Sequence, residues 1–148
     1  MSFVVDTNAL LRLVEPNHPM HISVLDALDI LRRRGERLCI VPQNLIEFWA
    51  VATRPRTSNG LGMTFEEATD ELTKLKSFFV LLLDGPALFS EWERLINLHR
   101  ALGKQAHDAH IAAAMNVNGI KNLLTFNTGD FKRYAGIVAI DPQSIATP

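Results

Sequence analysis

The sequence predicts one α/β domain, a three-layer α/β/α sandwich around a mostly parallel central sheet. Three observations lead there. Short apolar runs alternate with longer segments of helical periodicity from end to end, the pattern of a sheet whose strands are joined by crossover helices. The apolar runs are continuous, as in strands covered on both faces. The 148 residues hold no internal repeat, low-complexity stretch or linker, so one core is expected to serve residues 1–148. A chain of that length buries roughly 70% of the surface it exposes when unfolded.

Phe3, Val4 and Val5 read as a short buried strand that stops at Asp6, Thr7 and Asn8. Asp6 then lies at a strand's carboxyl end, the edge where open α/β sheets bind ligands, and Thr7 with Asn8 suits the cap of the next helical turn. Pro16 and Pro19 break the chain, and residues 20–34 carry Ile22, Leu25, Leu28 and Leu31 or Ile30 at helical spacing before Gly35 ends the helix. His18 and His21 lack a cysteine or carboxylate at ligand spacing and read as a solvated helix start. Arg32, Arg33, Arg34 and Arg37 complement the helix dipole.

Residues 38–41 form the second apolar run, with Cys39, the only cysteine, as a small buried strand residue. Pro42 introduces a helix over residues 43–53 in which Leu45, Ile46, Phe48, Trp49, Val51 and Ala52 surround a single acid, Glu47. The basic, irregular stretch from Arg54 to Gly62 is the kind of loop that lies at binding sites, which makes Arg54 a candidate for positioning a substrate. Thr64 and Glu67 form a capping box for a helix to Lys76, whose acids Glu66, Glu67, Asp70 and Glu71 read as a solvated face.

Residues 78–83 read as a third strand, buried on both faces. Asp84, Gly85 and Pro86 open a helix that turns Leu88, Phe89, Trp92, Leu95, Ile96 and Leu98 inward before Gly103; His99, Arg100 and Lys104 follow as positive charges for a substrate or for solvent. The helix over residues 105–118 is almost wholly apolar from Ile111 to Met115, so it is covered on most sides, and Asp108 near its start is half inside. Residues 122–126 make a fourth strand, whose carboxyl end presents Thr125, Asn127 and Asp130. Residues 137–140 make a fifth, and Asp141 and Pro142 stop it before a plain tail.

Composition narrows the function. A net charge of −1 excludes a uniformly basic surface, so affinity for phosphate must rest on local groups or a metal. One cysteine permits no internal disulfide. The amino terminus, MSFVVD, lacks a basic region followed by an apolar stretch, and no apolar run approaches the ~20 residues that span a bilayer. A cytoplasmic protein without a membrane anchor is expected.

Each acid has a bland reading. Asp108 can cap its helix and favour the dipole, and Glu47 can be a surface residue. Asp6, Glu47, Asp108 and Asp130 nevertheless each stand where an apolar element meets the expected ligand edge, and four coincidences are less economical than one site. Clustered carboxylates resist ionising until a cation joins them, and an all-oxygen site suits Mg²⁺ or Mn²⁺. Such an ion polarises a phosphodiester and lowers the pKa of bound water.

The order FVVDTN, NLIEFWAVATRP, HDAHIAAAM and LLTFNTGDF resembles the PIN domain, and more narrowly the VapC-type toxins of bacterial toxin–antitoxin pairs. The resemblance covers nearly the whole chain, and the combination is far more specific than any one piece. It implies a PIN-like fold and a Mg²⁺- or Mn²⁺-dependent endoribonuclease. The implied catalytic acids match Asp6, Glu47, Asp108 and Asp130, with Asn127 as a further metal ligand and Asn8, Thr125 and Arg54 beside the substrate. Many members carry Asp where this chain has Asn127, so either Asn127 or Asp130 completes the metal shell. The resemblance also implies an RNA substrate, a homodimer and a cognate antitoxin. Electrostatics adds that such a partner would insert a basic side chain among the acids, with apolar contacts from Leu10, Leu11, Leu13 and Val14.

Two rivals belong to another class: a receiver-like Mg²⁺-binding module, and a related fold that binds RNA without cutting it. The first needs a phosphate-accepting Asp at the end of a middle strand, and Asp84 after Leu81, Leu82 and Leu83 is the one candidate. The second is disfavoured by retention of all four acids.

Overall fold

In the computed structural model, which describes residues 1–146, β1 (Ser2–Val5), β2 (Arg37–Ile40), β3 (Val80–Leu81), β4 (Asn122–Leu124) and β5 (Val138–Ile140) form one sheet in the order β3-β2-β1-β4-β5. Every neighbouring pair is parallel. Side chains of a strand alternate between faces, and both faces here are buried. Phe3, Val5, Leu38 and Ile40 join one core with Leu10, Leu28, Leu31, Phe48 and Leu75. These come from α1 (Thr7–Leu13), α2 (His21–Arg33), α3 (Pro42–Thr53) and α4 (Phe65–Phe78). Val4, Cys39 and Val41 join the other core with Leu88, Leu95, Ile111 and Met115 from α5 (Leu88–His99) and α6 (Gln105–Val117). Helices on both sides of a parallel sheet make the expected three layers.

Local chemistry explains the helix starts. Pro42 occupies the first position of α3, where its missing N–H costs nothing, and Asn44 Oδ1 accepts from the Val41 N–H at 2.9 Å. The capping box of α4 forms in both directions, Thr64 to Glu67 and back, and these bonds hold the Glu67 carboxyl below its usual range. His18 and His21 are spent locally, the first accepting from Met20 N and the second contacting Arg12 O.

Several expectations need correction. Residues 78–83 do not make a strand buried on both faces: α4 continues through Phe78, β3 is two residues long, and Leu83 is 74% exposed. Apolar periodicity does not separate a helix end from a strand in so short a run, and β3 is an edge strand paired only with β2. Asp84 therefore follows an edge strand, which removes the receiver-like arrangement. Phe89 and Leu98 face outward, 66% and 63% exposed. The tail folds as α7 (Pro142–Ala146), started by Pro142 and by Asp141 Oδ1, which accepts from Gln143 N at 2.7 Å, and it packs on α2. Residues 147–148 of that tail lie outside the described residues. Leu10 and Leu11 are buried in the core and offer nothing to a partner, whereas Leu13 and Val14 line an apolar groove with Leu25, Leu28 and Phe78.

Candidate active site

Because the chain runs from β1 outward to β3 and then returns to the far side of β1 for β4 and β5, the strand order reverses between β1 and β4. Connections diverge at such a reversal, and the carboxyl ends of the strands there are the usual ligand position in open α/β sheets. Asp6 follows β1 and Thr125 follows β4 at that point, and Asp6 N donates to Leu124 O at 2.9 Å.

Asp6 is the N-cap of α1, the role expected of Thr7 and Asn8. Its Oδ1 accepts from Thr7 N and its Oδ2 from the Thr125 hydroxyl, each at 2.8 Å. Asn8 instead clasps the two strand ends, with Nδ2 donating to Thr125 Oγ1 at 3.1 Å and Oδ1 accepting from Phe126 N at 3.1 Å. Asp6 is only 9% exposed, and burial pushes its carboxyl up to about 6 against the bonds from Thr125 and Thr7, with the charges of Glu47 and Asp108 adding to the rise. The protein's own groups thus leave its negative charge under-compensated.

Glu47 enters from the second turn of α3. Its Oε1 accepts from Thr7 Oγ1 at 2.8 Å and its Oε2 from Gln43 Nε2 at 3.3 Å. The Thr7 hydroxyl in turn accepts from Asn44 Nδ2 at 3.3 Å. Thr7, Gln43 and Asn44 escaped the sequence reading as site residues. The available signal was their polarity at positions that the flanking apolar residues mark as covered, and all three are buried.

Asp108 stands on the first turns of α6, whose N-cap is Lys104, so it is not the cap. It is half-buried. Burial raises its carboxyl, Lys104 opposes that, and the charges of Asp130 and Glu47 reinforce it. Asp130 is exposed in the single turn Thr128–Phe131 and accepts from Lys104 Nζ at 3.2 Å. Lys104 also feels Asp108 and Asp6, and with the bond to Asp130 these hold its ammonium above the usual lysine range. The exposed Asn127 is tied in through its backbone, its N–H donating to Thr125 Oγ1 at 3.0 Å.

The structure therefore gathers Asp6, Glu47, Asp108, Asp130, Asn127, Asn8 and Thr125 at one edge. No hydrogen bond or ion pair ties Arg54 to them among the described residues. Arg54 ends α3, seven residues past Glu47 and about 10 Å further along the axis, where Gly62 N donates to its carbonyl and Gly60 packs so close that a Cβ would lie 2.0 Å from that oxygen. Lys104 is the cation that faces the acids.

Among the described residues, no three carboxylate, imidazole or thiol side chains converge tightly enough to cage an ion by themselves. A hard dication that keeps several waters and takes one or two carboxylates fits this donor set, and Asp6, whose charge burial opposes, is a candidate ligand.

No curated protein sequence matches the chain. Among solved structures, VapBC2 of Rickettsia felis, bound to a DNA fragment from its promoter, is 16% identical with a TM-score of 0.72 over 95% of this chain and 98% of that one. VapBC-1 of nontypeable Haemophilus influenzae is 17% identical with a TM-score of 0.68 over 96% and 98%. VapC20 of Mycobacterium tuberculosis, a toxin that cleaves the sarcin–ricin loop, is 20% identical with a TM-score of 0.66 over 92% and 96%. At these identities the likeness shows a shared fold. The PIN domain profile matches residues 3–137, nearly the whole length, and the chain belongs to the PIN domain family.

Proposed function

We propose that this PIN domain is a Mg²⁺- or Mn²⁺-dependent endoribonuclease, the toxin of a type II toxin–antitoxin pair. The observation that carries the reading is a buried carboxylate at the topological switch point, Asp6, pushed up to about 6 by burial and by neighbouring Glu47 and Asp108. Capping α1 does not require burying the charge, and so costly an arrangement suits a site completed by a cation. The likeness to VapBC complexes and to a sarcin–ricin loop-cleaving toxin supports the same class. On this reading the chain works in the cytoplasm as a homodimer and is restrained by a cognate antitoxin.

A bound dication would polarise the phosphodiester and favour ionisation of water. Asp6, Glu47 and Asp108, with Asn127 or Asp130, would supply its protein ligands, one or two of them directly and the others through retained waters. Thr125 and Asn8 hold Asp6 in place, and Thr7 and Gln43 do the same for Glu47. Water attacks phosphorus in line, the bond to the 3′ oxygen breaks, and that oxygen takes a proton, which leaves a 5′-phosphate and a 3′-hydroxyl.

The test is cleavage of end-labelled single-stranded RNA with Mg²⁺, with Mn²⁺ and in excess EDTA. Cleavage confined to the metal-containing reactions, with 5′-phosphate products, is expected. Undiminished cleavage in EDTA, or cyclic phosphate ends, would overturn the proposal.

A further inference from the structure

The side chain of Gln43 joins the two helices that carry the inner acids. Its Nε2 donates to Glu47 Oε2 at 3.3 Å, one turn along α3, and to the main-chain oxygen of His107 at 2.9 Å, the residue before Asp108 on α6. Both partners are pure acceptors, so the amide nitrogen must lie on that side and Oε1 on the other. Oε1 meets His110 Nδ1 in a short contact. A carbonyl oxygen only accepts, hence His110 carries its proton on Nδ1 and locks the amide against rotation. Gln43 is only 9% exposed; its amide would be costly there without these bonds. From these contacts we infer that Gln43 is a positioning residue: it sets the orientation of Glu47 and its spacing from Asp108, and His110 acts on the site through its bond to Gln43.

The inference rests on the metal-site reading above. Groups that orient ligand carboxylates change metal affinity by roughly 10- to 100-fold when removed. Gln43→Leu, which keeps the volume and loses every bond, is expected to weaken Mn²⁺ binding in that range, measured by electron paramagnetic resonance titration. kcat on RNA should fall while KM holds. His110→Ala is expected to weaken Mn²⁺ several-fold, and the double variant to be no worse than Gln43→Leu alone, because the bond to Gln43 is the hydrogen bond through which the His110 ring reaches Glu47.

Circular dichroism and the melting temperature verify that each variant folds. If Gln43→Leu fails to fold, the half-exposed His110→Ala decides the matter: Mn²⁺ affinity equal to wild type overturns the inference. Unchanged affinity in a folded Gln43→Leu, or additive losses in the double variant, does the same. Failure of the wild-type chain to bind Mn²⁺ would bring down the metal-site reading and this inference with it, a result distinct from wild-type binding that the variants leave intact.

Discussion

Asp6 directly follows β1 and Asp130 lies in the turn after the adjacent strand β4, yet their surroundings differ in kind. Asp6 is 9% exposed and held by Thr7 N, the Thr125 hydroxyl and Asn8. The Asp130 side chain is 44% exposed, and a single lysine, itself 71% exposed, is its partner. Glu47 belongs with Asp6, its carboxylate fixed by Thr7 and Gln43. Asp108 belongs between the two, partly buried and influenced by Lys104 and by the other acids. The inner half of the site is preorganised, and burial destabilises the charge of Asp6. The outer half carries an ion pair that water screens, so its partner is exchangeable. A cation entering the site would meet fixed acids inside and a displaceable lysine outside.

The largest effect expected to sharpen this contrast is on Asp108. Asp108→Asn keeps the shape and removes one charge, and RNA cleavage should fall by roughly 100-fold or more. Its metal-free melting temperature should hold or rise, because burial already disfavours the ionised form. Asp130→Asn should lose far less activity; equal losses at the two positions would erase the distinction between halves. An unfolded Asp108→Asn protein would make that acid a structural partner.

Next comes pH. The folded-state pKa of Asp6 is pushed up to about 6, above its unfolded value near 3.9, so the folded state holds the proton more tightly. Its ionisation penalty is absent below about pH 4, grows as pH rises, and is complete above the folded value, on the order of 3 kcal/mol at pH 7. In EDTA, the stability of wild type relative to Asp6→Ala should therefore be greater at pH 4.5 than at pH 7.5. A flat difference from urea melts at the two pH values would show that Asp6 is not strained.

Lys104→Met probes the outer half. The exposed pair with Asp130 contributes at most about 1 kcal/mol, so stability should barely move, while Mn²⁺ binding tightens several-fold as a competing cation is removed. Weaker binding would instead place Lys104 among the groups that build the site. The smallest effect is expected at Glu66, an exposed first-turn acid of α4: Glu66→Gln should change stability by less than about 0.5 kcal/mol and leave cleavage unaltered.

Periodicity and punctuation by themselves determined the layers, the strand positions of Val4, Cys39 and Leu123, and which acids lie at strand ends, because burial on both faces of a parallel sheet demands continuous apolar runs. They misread residues 78–83, where an apolar run served a helix end, and the tail, where Asp141 and Pro142 begin a helix as well as ending a strand. The rest was decided by tertiary structure. That Asn8 ties β1 to β4 across 117 residues, that Gln43 spans from α3 to α6, and that Lys104 pairs with Asp130 depend on strand order and helix direction. Sequence spacing reports neighbours along one element, whereas a side-chain hydrogen bond between elements exists only once the order β3-β2-β1-β4-β5 brings the carboxyl ends of β1 and β4 side by side.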